Sequence, residues 1–381
     1  MIYLDYNATT IIHPTVKEYM LQFMDYPANP SSVHSFGRKA RKIIEAARMQ
    51  IALMLGIGNY LKDYNITFTS GGTEANNLIL SNFLDGDIFI SALEHSSIYN
   101  YIQEYKNIKI IKVDRNGLID LDDLKLQLAD STAEKKLVSV MFANNETGVI
   151  QEIKQIADIV HEYGGLIHSD IVQCPGKIPI DLYNLDVDFA SISGHKFGGP
   201  VGIGALVSKE IHHLKPILIG GMQEKGLRSG TENVVAIAGL GVAAKLVTDE
   251  LPLRYKKMVK LRDRIEAALL GYYPKIEIAS YGVHRLPNTS LIINPGKKAE
   301  NQLIIFDLHG VALSSGAACS SGKVGTSNTL KYMGYSKEER QSALRISVGE
   351  NNNEKEIDFF IDTYKKINQS NGHQQHNVEV A

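Results

Sequence analysis

Leu137-Val138-Ser139-Val140-Met141-Phe142, then Ile153-Lys154-Gln155-Ile156-Ala157-Asp158-Ile159-Val160-His161, then Leu166-Ile167-His168, follow one another along the chain. The first and third runs are almost continuously apolar, and the middle one repeats its apolar residues at helical spacing. Strands of that kind are buried on both faces, so the unit predicts parallel strands with a helix crossing over them. Ile66-Thr67-Phe68-Thr69, Asp87-Ile88-Phe89-Ile90 and Phe189-Ala190-Ser191-Ile192 extend the pattern. A mostly parallel central sheet with helices on both faces is therefore expected within residues 15–255. The composition changes at Leu251-Pro252-Leu253, where a long amphipathic helix through Leu261, Ile265 and Leu269 begins. Shorter runs follow, Thr289-Ser290-Leu291-Ile292-Ile293 and Leu344-Arg345-Ile346-Ser347-Val348. These predict a smaller α+β domain over residues 256–367, with residues 1–14 assigned to it. Residues 368–381, polar and rich in Asn, Gln and His, read as a disordered tail.

At roughly 150 residues per domain, 381 residues suit two or three domains. Lys plus Arg number 40 and Asp plus Glu 42, a formal charge of −2, which argues against a broad polyanion-binding surface and a direct nucleic-acid partner. Two cysteines, Cys174 and Cys319, exclude a disulfide scaffold and favour a reducing compartment. No run of about 18 apolar residues exists, so no membrane span is expected. The opening Met1-Ile2-Tyr3-Leu4-Asp5-Tyr6-Asn7 has no basic start followed by an apolar stretch, and the expected address is cytoplasmic.

Three places at the ends of predicted strands have the makings of a site. Thr69-Ser70-Gly71-Gly72-Thr73-Glu74 places two glycines where a helix begins, and free N–H groups there can cradle a phosphate. A plain glycine turn with a Thr/Glu cap reads equally well. Ser193-Gly194-His195-Lys196-Phe197-Gly198-Gly199 sets a lysine at the mouth of the sheet, where a desolvated amine can form a Schiff base; a solvated loop lysine is the plainer alternative. His168-Ser169-Asp170-Ile171-Val172-Gln173 sets a carboxylate there, which needs a cationic partner unless it only caps a helix. Phosphate cradle, Schiff-base lysine and carboxylate are the three contacts pyridoxal phosphate requires. His212-His213 reads as surface or structural, His373 and His376 fall in the tail, and no metal site is expected. Cys174 reads as structural.

Nine segments, in order, give the chain a family likeness: Leu4-Asp5-Tyr6-Asn7-Ala8-Thr9-Thr10, Asn29-Pro30-Ser31-Ser32-Val33-His34, Ser70-Gly71-Gly72-Thr73-Glu74, Glu94-His95, Asn144-Asn145-Glu146-Thr147-Gly148-Val149, His168 to Gln173, Ser193 to Lys196, Arg228-Ser229-Gly230-Thr231-Glu232-Asn233, and Ser314-Ser315-Gly316-Ala317-Ala318-Cys319. The sequence resembles the cysteine desulfurases, which belong to the class V aminotransferase group of fold-type I pyridoxal-phosphate enzymes. The likeness runs from Tyr3 to about Lys365.

The resemblance implies that Lys196 holds the cofactor and that Asp170 pairs with its ring nitrogen. Gln173 would bond the phenolic oxygen, and His95 would stack on the ring and take part in proton transfer. Asn145 would lie beside the ring near the substrate. Gly72, Thr73, Ser193 and His195 would hold the phosphate, with Thr231 reaching in from the second subunit of a homodimer. Arg345 would bind the carboxylate of L-cysteine through a bidentate fork. Cys319, in a run of small residues, would be the nucleophile that takes the sulfur as a persulfide and passes it to an acceptor protein, an iron–sulfur scaffold or a thiolation relay. Alternatives within the fold are a selenocysteine lyase or another aminotransferase-like enzyme, and beyond it a non-catalytic scaffold. Three departures stand out: Ile171-Val172 where small residues are usual near the ring, the stretch from Gly322 to Thr329 without the usual proline, and Glu350 in place of Arg.

Overall fold

A computed structural model describes residues 1–27, 29–316 and 327–369 of the chain. Its larger sheet has seven strands in the order Tyr64–Thr69, Gly204–Lys209, Phe189–Ser193, Leu166–Asp170, Lys136–Ser139, Asp87–Ser91, Ile108–Ile111. Only the Gly204–Lys209 strand runs against its two neighbours; the remaining pairings are parallel. Two antiparallel pairings in succession leave Tyr64–Thr69 pointing the same way as Phe189–Ser193. Thr69, Ser91, Ser139, Asp170 and Ser193 therefore end their strands along one edge of the sheet.

The period-two alternation of strand side chains feeds two separate cores. Ile88, Ile90, Leu137, Phe189 and Leu206 meet the Gly72–Ser81 helix on one face. Phe89, Val138, Ala190, Ala205 and Val207 meet the helices Ser35–Met54, Ile153–Glu162 and Val234–Asp249 on the other. Helices on both faces explain why these strands read as continuous apolar runs. The run expected through Phe142 leaves the named strand at Ser139, yet the Val140 and Phe142 amides still donate to the His168 and Asp170 carbonyls at 3.0 Å each. The Ile108–Ile111 and Gly204–Lys209 strands were not anticipated, since each borders a polar or glycine-rich turn and gains its strand character from its neighbours.

A second sheet of four antiparallel strands has the order Ser314–Ser315, Ala343–Ser347, Thr289–Ile293, Glu277–Ile278. Leu261, Ile265 and Leu269 of the Leu251–Tyr272 helix pack on it with Phe306, Phe360 and Tyr364. Pro252 sits in the first turn of that helix, where its missing N–H costs nothing. The N-terminal Ile2–Tyr3 strand pairs with Val311–Ala312, and Leu4 enters the same core. Residues 5–13 then run back to the large sheet: Asp5 bridges Ser347, the Thr10 amide donates to the His195 carbonyl at 2.7 Å, and that of His13 to Gly198 at 3.0 Å. The last helix, Glu354–Gln369, extends two residues into the segment expected to be tail, and Asn368 bonds the Tyr364 carbonyl at 2.9 Å. His373 and His376 lie outside the described residues.

Two polar groups, the buried His168 and the half-buried Glu146, tie the fold to its upper edge. His168 has no exposed surface and spans neighbouring strands, Nδ1 to Ser139 Oγ at 2.9 Å and Nε2 to Ser191 Oγ at 3.0 Å. Burial pushes its pKa down to about 4, against the opposing pull of Asp170. The unfolded chain thus takes up this proton first, so stability is full above the ordinary value of 6.5 and is lost as pH falls toward 4. A His168→Asn variant should lose less stability than the wild type between those pH values, by roughly 3 kcal/mol at the acid end, as read by chemical denaturation. Glu146 accepts from Ser327 Oγ at 2.6 Å and from Thr329 Oγ1 at 2.8 Å, joining the two sheets' loops. Glu146→Ala should cost about 2 kcal/mol in the same measurement because both hydroxyls lose their acceptor, whereas Glu146→Gln should cost less.

Candidate active site

Above the common strand edge lies a cavity of about 320 Å³, closed on its far side by Asn7, Ala8 and Arg345. Gly72, Thr73, His95, Asn145, Asp170, Gln173, Ser193, His195 and Lys196 also line it. Sequence segments far apart meet here because each follows a strand that ends at the same edge. Thr231 is elsewhere: it is exposed and lines a different cavity, of about 260 Å³, with Arg228 and Ser70. Cys319 lies outside the described residues, as do Gly322 to Thr326 of the unusual stretch.

Asp170 is 7% exposed and forms part of the cavity wall. Its Oδ1 accepts from the Val172 amide at 3.0 Å and its Oδ2 from Asn76 Nδ2 at 2.9 Å. Lys196 Nζ donates to the carbonyls of Asn7 and Ala8, 2.8 Å each. His95 caps the Ser96–Tyr99 helix, its Nδ1 accepting from the Ser97 amide at 3.2 Å. Burial lowers its pKa; Asp170 opposes this and Lys196 adds to it, so the ring is a neutral base near pH 7. Burial, reinforced by Lys196, pushes His195 down to about 4, and its Nδ1 meets Thr9 Oγ1 at 3.1 Å.

Arg345 sits in the middle of the Ala343–Ser347 strand and is 2% exposed. It donates to Asp5 Oδ1 at 2.7 Å and to the Asn145 carbonyl at 3.1 Å, while its Nε has no hydrogen-bond partner among the described residues. A buried guanidinium with an unspent donor suits a carboxylate ligand. Ser314 pairs across from Arg345, and Ser315 across from Leu344.

Gly72 opens a ten-residue helix at the cavity, and a Cβ on it would fall 3.0 Å from Val172 Cγ2. The backbone thus leaves room for an anion at a helix N-terminus. Of the two large residues flagged beside the ring, only Val172 faces the cavity; Ile171 is fully buried in the core below. Glu350 forms an ion pair with Arg254 at 3.5 Å and does not line the cavity. His212 bonds Asp188 at 3.0 Å, the structural place expected of it. Cys174 is fully buried, and burial pushes its thiol up.

Sequence reasoning gave no role to Asn7, Asn76 or Lys177. Asn76 could have been found, because four residues on from Gly72 it shares that helix face. Asn7 and Lys177 give no such local signal. The cavity presents the Lys196 amine, the Asp170 carboxylate, a neutral imidazole at His95, the Arg345 guanidinium and the helix N-terminus at Gly72. That set fits pyridoxal phosphate: Lys196 for its carbonyl carbon, Asp170 for its ring nitrogen, and the Gly72-Thr73 turn with Ser193 for its phosphate.

The comparisons with known proteins agree with this geometry. The chain is 38% identical to a cysteine desulfurase of Nostoc sp. over 377 residues, covering 96% of this chain and 92% of that protein. It is 35% identical to the cysteine desulfurase IscS of Clostridium botulinum, covering 96% and 94%. The solved structure of a NifS-like protein from Rickettsia africae superposes with a TM-score of 0.92 at 50% identity, covering 97% of this chain and 99% of that one. The fold-type I architecture expected from the motifs is the one observed. The aminotransferase class-V family model matches residues 2–360, and the chain belongs to that family.

Proposed function

We propose that the protein is a pyridoxal-phosphate-dependent cysteine desulfurase that converts L-cysteine to L-alanine. The sulfur goes to the Cys319 thiol, giving a persulfide, and then to an acceptor protein. The observation that supports this best is the convergence of Lys196, Asp170, His95 and Arg345 on one cavity of about 320 Å³. When bound, the cofactor supplies an electron sink for the α-carbon of the amino acid.

The protein's own groups do the rest. Arg345 holds the substrate carboxylate, using donors that Asp5 and Asn145 leave available. Lys196 Nζ would hold the cofactor and, as a free amine, would move the α-proton of the substrate. Neutral His95, also on the cavity wall, would accept or return a proton, and Asn145 would border the substrate. Asp170, held from two sides by Asn76 and the Val172 amide, would pair with the ring nitrogen. Gln173 serves the phenolic oxygen, and Gly72, Thr73, Ser193 and His195 serve the phosphate. The balance is simple: cysteine plus an enzyme thiol gives alanine plus an enzyme persulfide.

The same reading makes the protein a homodimer in which Thr231 completes the phosphate site of the other subunit. Its exposure, with Ile219 at 90% and Met222 at 81% exposed nearby, supports a contact surface there. Separate apolar cores support a large domain of residues 15–255 and a small one of residues 1–14 and 256–367. A thiol that must cycle through a persulfide suits a reducing compartment, the cytoplasm, and iron–sulfur assembly or thiolation as its destination. Among the described residues no helix is long and apolar enough to cross a membrane.

Cys319→Ser should retain the cofactor's visible absorbance and lose cysteine-dependent persulfide, whereas Lys196→Ala should lose the lysine-linked band. Sulfide release at the wild-type rate by the Cys319 variant refutes the assignment. Arg345→Lys should raise KM for cysteine by roughly 10- to 100-fold with a smaller change in kcat, since a point charge replaces a fork.

A further inference from the structure

Lys177 is 4% exposed and has none of the roles described above. Its Nζ donates to Gln173 Oε1 at 2.6 Å and to Asn7 Oδ1 at 3.1 Å. The Asn7 oxygen also accepts from Asn288 Nδ2 at 3.0 Å, and Asn7 Nδ2 donates to Thr289 Oγ1 at 2.8 Å and to the Asn145 carbonyl at 3.2 Å. Partners at both ends therefore set the orientation of the Asn7 amide. Gln173 is set in the same way, because its Nε2 donates to the Asn7 main-chain carbonyl at 3.0 Å while its oxygen faces Lys177. Turning that amide over would put two donors face to face on one side and two acceptors on the other. Nε2 has a second hydrogen, and Gln173 lines the cavity.

We infer that Lys177 is a positioning residue: it locks the Gln173 amide as a hydrogen-bond donor to the cavity and, through Asn7, steadies the carbonyls on which Lys196 rests. This depends on the cavity being the pyridoxal-phosphate site proposed above, with the phenolic oxygen as the acceptor. The role does not require a charge. An amine donates whether or not it is protonated, and burial, with Lys196 adding to it, lowers the Lys177 pKa to about 7. Cys174 and Glu350 favour the charged form from other sides, and Arg345 opposes it.

The test is a pH titration of the visible absorbance of the cofactor-loaded protein without substrate. A donor to the phenolic oxygen competes with the neighbouring nitrogen's proton, so its loss raises that nitrogen's affinity for the proton. Lys177→Met should keep the cofactor bound and move the titration midpoint up by about 0.7 pH unit, the worth of one ordinary hydrogen bond. In a Gln173→Leu background the same substitution should move it by less than roughly a third of that, because the two residues act as a unit. Lys177→Leu, which likewise removes the donor, serves if the Met variant does not load, with the same expectations. An unmoved midpoint, or an equal shift in both backgrounds, overturns the inference and leaves the functional reading intact. A wild type with no lysine-linked band defeats the functional reading itself, and the inference with it.

Discussion

The site depends on the backbone of Asn7 being held between two sheets. Its main-chain carbonyl accepts from Lys196 and from Gln173, and its side-chain amide binds Lys177, Asn288, Thr289 and the Asn145 carbonyl. Asn7 itself is 1% exposed. A buried polar residue in that position is stable only if every donor and acceptor finds a partner, since each unpaired one costs roughly 1–3 kcal/mol. The partners come from both sheets, so satisfying Asn7 fixes how the small sheet meets the strand edge of the large one. The Asp5–Arg345 ion pair, 2.7 Å long, reinforces that contact two residues earlier.

The electrostatics of the cavity follow from its depth. Burial opposes the charged form of both cavity histidines. His95 and His195 stay neutral, able to accept a proton or a hydrogen bond. Asp170 has two N–H donors directed at its carboxylate. Asp5 and the Asn145 carbonyl accept from the buried Arg345 guanidinium. A guanidinium and a neutral imidazole in a cavity of this size can hold an amino acid by its carboxylate and still accept a proton.

Much of this was legible beforehand. The apolar runs identified the sheet because strands covered on both faces are mostly apolar, and polar residues among them, such as His168, are hydrogen-bonded. Gly72, Asp170 and Lys196 were recognisable as site residues because each sits within a few positions of a strand's end. The Gly204–Lys209 strand was missed, as its direction and pairing come from neighbours rather than from its own composition. Lys177 was missed for a related reason. Nothing in Gly176-Lys177 distinguishes a surface lysine from a buried one, and its partner Asn7 lies 170 positions away. Ile171 and Val172 lie just beyond the strand end at Asp170, where no alternation applies, and only the packing buries Ile171 in the core and sets Val172 on the cavity.

The order of residues along the chain thus determined which segments become strands, which strand ends bear an amine, a carboxylate or a glycine turn, and what chemistry those groups can perform together. Local composition and spacing suffice for that. The way the N-terminal segment crosses between the sheets, the orientation of the Gln173 amide and the burial of Lys177 were settled only when distant parts of the chain packed together. Hydrogen bonds between residues more than a hundred positions apart leave no period or motif to read, because their geometry exists only in the folded molecule.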